Sequence, residues 1–202
     1  ETPLCDTHEH LWSKQEFIKQ SPDILQTMFS GAYATADLVV AGASPEDADA
    51  LVDNTDPDIG ARFRRIEPAW RAVQHTGYGE AVRITAKQLY DIDELSTEAL
   101  EAAQAKHAAY VGPGQRLHIL RDIANLDHVQ IDDLTMPCLP DAAGPDFFFS
   151  DLSWWKFCCG TPEIDLLQED FDITVVDLAS LQQAMETVFA RYGNTAIAVK
   201  AQ

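Results

Sequence analysis

The spacing of apolar positions changes period along the chain, and the changes mark out its elements. In TPLCDTHEHLW, Asp6, His8 and His10 recur at period two, which predicts a short strand with all three polar side chains on one face. From about Lys14 to His107 the period becomes helical. SPEDADALV carries a Ser44 cap, Pro45 at the first helical position and acids in the first turn. IGARFRRIEPAWRAVQ and GEAVRITAKQLY repeat apolar residues at three and four, and STEALEAAQAKHAAY opens on a cap-like Ser96 followed by Glu98. After the GPG turn at 112–114, QRLHILRDIANL reads as an amphipathic helix and HVQIDD as a strand ending in acids. DFFFSDL, beyond the PCLPDAAGP loop, is a third β-prone run. The second half of EDFDITVVDLASLQQAMETVFARYG is an amphipathic helix, and TAIAVKAQ alternates like a strand.

The order is therefore strand, helices, strand, strand, helix, strand, which predicts an α/β fold with a parallel sheet. The text reaches Gln202 in or just after the fourth strand, before any helix that would cover it. Four such strands make half of an eight-stranded barrel, a fold that typically needs about 250 residues. The expectation is a fragment: 1–202 as the amino-terminal part of one (β/α)8 TIM-barrel-type domain, with a helical insertion over roughly 14–111.

Charge narrows the partners. With 33 acidic residues against 14 basic ones the net charge is −19. Such a protein repels a nucleic-acid backbone and an anionic membrane alike, so neither is an expected partner. No stretch approaches 18 uninterrupted apolar residues and no basic, apolar leader precedes Glu1, which predicts a soluble, cytoplasmic protein. The 4 cysteines lack the density and spacing of a disulfide scaffold and read as reduced core thiols.

A His-x-His at the end of a strand sends two imidazoles out together, close enough to share one divalent ion. Imidazole suits zinc, manganese, iron and nickel, so the spacing does not choose the metal. Taken alone, His8 and His10 are either such ligands or a chance pair at a strand end.

Asp6 to Trp12, DTHEHLW, directly after an apolar strand start, resembles the first-strand signature of the amidohydrolase superfamily of metal-dependent TIM-barrel enzymes. Arg65 to Ser96, and YDIDEL at Tyr90 to Leu95 above all, is similar to the helical insertion between the first and second strands of uronate isomerases and their relatives. The resemblance implies that His8 and His10 are metal ligands, zinc being the first expectation. It also places Lys200 where some branches carry a carboxylated lysine that bridges two metals; the plainer reading, a strand-end lysine facing solvent, is preferred. The further ligands it implies, two histidines and an aspartate from later strands, would lie beyond Gln202, so no catalytic or substrate-binding residue is assigned.

The activity implied is hydrolysis of an amide, ester or lactone-like bond of a small-molecule substrate by metal-activated water. One alternative is a uronate-isomerase-like aldose/ketose isomerase. Tyr33 falls near that branch's carboxylate-binding run, but Ala34 and the lack of a nearby Arg or Lys depart from it. Another is a non-catalytic half-barrel that pairs with another chain, a homo-oligomer included, to cover its open sheet edge. Among other residues, Asp6 is read as orienting a ligand histidine, or else as ending the strand. His75, with Gly77 and Gly79, is read as a capped helix carboxyl end. Trp154 and Trp155 read as core, and His107, His118 and His128 as structural.

Overall fold

In a computed structural model, which describes residues 2–12, 14–31, 33–132 and 138–201, the strands are β1 (Leu4–Glu9), β2 (Leu126–Ile131), β3 (Phe148–Ser153) and β4 (Ala198–Lys200). They form one parallel sheet of 4 strands in the order β1-β2-β3-β4, curled like half a barrel. The α/β class and the parallel sheet expected from the alternation are thus observed. The chain divides into two units, residues 1–15 with 117–202, which hold the sheet, and residues 16–116, which are helical.

In the sheet unit, register sorts side chains into two rows. Val129 pairs with Phe148 and Ile131 with Ser150, while Leu152 pairs with Val199. This row meets the apolar cover: Val129, Phe147 and Phe148 pack with Leu117, Leu120 and Leu126, and Leu152 packs with Leu167, Ala184 and Val188. Each such side chain taken fully from water contributes about 2 kcal/mol. The other row is polar: Gln130 pairs with Phe149, Asp151 with Ala198 and Ser153 with Lys200. Parallel sheets are usually apolar on both faces, so a polar row here is an exception that asks for a purpose.

The connection from β2 to β3 has no helix among the described residues. β3 and β4 are joined through α9 (Trp155–Cys158), α10 (Ile164–Phe171) and α11 (Leu178–Tyr192). Asp177 starts α11 with a reciprocal cap, its carboxylate accepting from the Ser180 amide while the Ser180 hydroxyl accepts from the Asp177 amide. The expected helix at QRLHILRDIANL forms differently, as a short α8 (Gln115–Leu117) widening into a π-helical turn over His118–Ile123. The cysteine reading is corrected: Cys138 is buried, but Cys5, Cys158 and Cys159 are exposed. Cys5 lies on the first strand outside the apolar row, and the other two close the short α9.

The helical unit holds α1 (Lys14–Gln20), α2 (Ile24–Phe29), α3 (Ala34–Val40), α4 (Pro45–Val52), α5 (Ile59–Val73), α6 (Gly77–Tyr90) and α7 (Thr97–Tyr110). Ser44 and Ser96 accept from the amides of Asp47 and Ala99, as their positions predict. His75 is not at a glycine-capped end. Thr76 caps α6, Gly77 and Gly79 lie inside its first turn, and a Cβ on Gly79 would sit 2.1 Å from the Val73 carbonyl oxygen. Tyr33 is exposed at a left-handed turn before α3, its ring 5.7 Å from that of Tyr78.

In this unit Arg62 is fully buried, as are Phe29, Leu51 and Phe63. It donates to the carbonyls of Ala50 (3.1 Å), Leu51 (2.6 Å) and Asp56 (2.9 Å) and pairs with Asp23, which also caps α2. Removing one member of a buried, hydrogen-bonded pair strands the rest. Arg62→Ala is expected to lower the unfolding free energy by about 3 kcal/mol or more. Urea denaturation followed by far-UV circular dichroism checks this, and a midpoint unchanged from the parent protein would contradict it.

Candidate functional site at the carboxyl ends of the strands

Parallel pairing brings the carboxyl ends of all four strands to one edge of the sheet, where the polar row ends. Between Asp6 and Glu9 the register slips: Asp6 pairs with Val129 but Glu9 with Ile131, so β1 fits an extra residue against β2. The slip corrects the expectation that Asp6 shares a face with the histidines. Asp6 and Glu9 fall in the row of Val129 and Ile131, and the Asp6 carboxylate accepts from the His8 main-chain amide at 3.2 Å. It holds the backbone and not an imidazole.

His8 and His10 stand together, ring centroids 5.6 Å apart and nearly perpendicular. Nδ1 of His10 lies 3.1 Å from the carbonyl oxygen of Asp132, one residue past β2. A carbonyl only accepts, so Nδ1 carries a proton and donates it to that bond. The orienting role read into Asp6 thus falls to the Asp132 main chain.

Lys200 does not face solvent, as the plainer reading has it. Its side chain is nearly buried, with Nζ 3.4 Å from the Glu9 carbonyl and 3.8 Å from the Asp132 carboxylate, itself fully buried. Next to it on β3, Asp151 and Ser153 are 5% and 4% exposed, and Asp151 Oδ1 and Ser153 Oγ have no hydrogen-bond partner among the described residues. Burial pushes the Asp151 carboxyl up, Lys200 pulls it down and Asp132 pushes it up, for a net rise.

Sequence reasoning found His8, His10 and Lys200 but missed Asp132, Asp151 and Ser153. The only signal for the first was the acid pair closing HVQIDD. His8 and His10 are not joined by a third such ligand within 4.8 Å among the described residues. They would supply two of the three or more protein ligands that a metal centre uses, and the Nδ1–H to carbonyl bond of His10 is an arrangement ligand histidines adopt. The donor set fits a metal to that extent.

Elsewhere the expected structural roles divide. His107 is structural, donating from Nε2 to the Pro22 carbonyl (2.7 Å) and meeting the Tyr90 hydroxyl at Nδ1 (2.9 Å), all buried. His118 pairs with Asp122 on the surface. His128 has metal-ligand neighbours, since Cys5, Asp127 and His128 bring one ligand atom each to within 4.8 Å of one another. Trp154 packs against the apolar core as expected. A cleft of about 300 Å³, lined by Leu117, Arg121, Asp127, Asp146 and Phe147 among others, includes none of the residues at the carboxyl edge. No helix among the described residues is long and apolar enough to cross a membrane.

A raised carboxyl pKa in the folded state means that the fold prefers the protonated form. The stability it contributes is complete below the ordinary carboxylate range and is lost as pH rises through the raised value. Carbon-13 NMR of the Asp151 carboxyl is expected to show a midpoint above those of the exposed aspartates, and Lys200→Met is expected to move it further up. A midpoint at or below theirs would contradict the burial argument.

No protein-family model matches the chain, and neither a curated protein nor a solved structure is significantly similar to it.

Proposed function

We propose that the chain is a metal-dependent hydrolase of the amidohydrolase type, its parallel sheet belonging to a barrel of the (β/α)8 kind and its site at the carboxyl ends of the strands. The observation that carries this reading is the bond from His10 Nδ1–H to the Asp132 carbonyl, beside a second imidazole on the same strand end. Ligand histidines nearly always give their other N–H to a carbonyl or carboxylate, which fixes the tautomer and makes the ligating nitrogen more basic. The resemblance of DTHEHLW to the family's first-strand signature points the same way.

In this reading His8 and His10 hold a divalent ion, zinc first, with manganese, iron and nickel next. The chemistry such an ion supplies is an acidified water and a polarised amide, ester or lactone-like carbonyl. The Asp132 main chain keeps the His10 ring in place. Lys200 serves as counter-charge to Asp132 and Asp151, two buried carboxylates that repel each other without it. Carboxylating Lys200 would add a third negative group at that place, so the ammonium form is the role assigned. The substrate is a small molecule, since a net charge of −19 opposes polyanions.

The test is turnover of a panel of lactones, aryl esters and N-acyl amides by the chain stripped of metal and reloaded with zinc or manganese. Loading is expected to restore hydrolysis. His8→Ala and His10→Ala should each lower kcat/KM by more than the roughly tenfold to hundredfold that changes around the ligands cause. No turnover across the panel, or turnover untouched in the double variant, would overturn the proposal.

A further inference from the structure

We infer that the chain carries a second metal site, made by Cys5, Asp127 and His128 at the amino-terminal side of β1 and β2, and that it takes a borderline-soft divalent cation such as zinc. It shares no residue with the site at the carboxyl ends.

The register builds it. Cys5 and His128 are partners on adjacent parallel strands, so their side chains leave the sheet on the same face. Asp127 would leave by the opposite face in a regular strand. Here the pairing jumps from Leu4 with Leu126 to Cys5 with His128, which makes Asp127 the extra residue of a bulge in β2. A bulge re-aims a side chain, and the Asp127 carboxylate reaches 2.8 Å from His128 Nδ1. The Phe149 ring packs edge-on against the His128 imidazole, 5.5 Å away and nearly perpendicular to it.

Thiolate, imidazole and carboxylate together are a zinc donor set, and three protein ligands leave one position for water. The three ligand atoms already lie within 4.8 Å of one another. Bonds of about 2.0–2.3 Å would set them about 3.5 Å apart, an adjustment that side-chain rotation at exposed Cys5 and Asp127 can supply as the Asp127 carboxylate exchanges its bond to His128 Nδ1 for the ion. Binding releases the thiol proton, because the thiolate is the ligand.

Cobalt(II) titration of the full chain, followed by absorption, tests it, since only a thiolate ligand gives an intense sulfur-to-cobalt charge-transfer band in the near ultraviolet. The band is expected in the parent protein and in His8→Ala/His10→Ala, which separates it from the site at the carboxyl ends. It is expected to persist in Cys158→Ser/Cys159→Ser and to vanish in Cys5→Ser. Asp127→Asn, at an exposed position, should weaken cobalt binding by at least roughly tenfold. A parent protein without the band, a band that survives Cys5→Ser, or unchanged affinity in Asp127→Asn would each overturn the inference.

Discussion

Parallel pairing is the constraint on which the rest of the sheet unit depends. Strands that run the same way end on the same edge, so residues far apart in sequence, His10, Asp132, Ser153 and Lys200, are delivered to one place without any loop having to fold onto another. Register then decides which of them meet. The slip between Asp6 and Glu9 moves His10 into step with Asp132, and the shift between Leu4 and Cys5 turns Asp127 toward His128. Two irregularities in one strand pair thus decide which side chains meet at both ends of that pair.

The two units bury charge for different ends. In the helical unit Arg62 has a carboxylate and three carbonyls around it, so the cost of taking its guanidinium from water is offset bond by bond. At the carboxyl edge of the sheet the pairing is looser: among the described residues Asp151 Oδ1 and Ser153 Oγ are buried without a hydrogen bond, and the Lys200 ammonium stands 3.8 Å from the Asp132 carboxylate, longer than a hydrogen bond. A folded chain keeps such groups at a cost of a few kcal/mol each only where they serve something other than stability. The first arrangement is a structural pin, and the second is the feature on which the proposed site rests.

Local signals were readable from the sequence wherever a residue acts on its own neighbours. Ser44 with Pro45, Ser96, the three-and-four spacing of α5 and α6, and the β-prone run of β3 all describe interactions within a few residues, and each formed as expected. What could not be read depends on the partner strand. Asp6 alternates with His8 and His10 in the sequence, yet its face is set by how β1 docks on β2. Asp151 and Ser153 look like strand-end polar residues until β4 brings Lys200 beside them. His128 reads as an ordinary strand histidine until Cys5, more than a hundred residues away, becomes its register partner. The cysteines misled for the same reason, since a small apolar side chain says nothing of which row it will join.

Everything proposed for the carboxyl edge depends on His8 and His10 holding one divalent ion. The most direct measurement is anomalous diffraction at the zinc absorption edge from crystals grown with zinc. A peak is expected within bonding distance of both imidazoles, with His10 Nδ1 still on the Asp132 carbonyl. Zinc bound elsewhere on the chain and absent from this pair would contradict it.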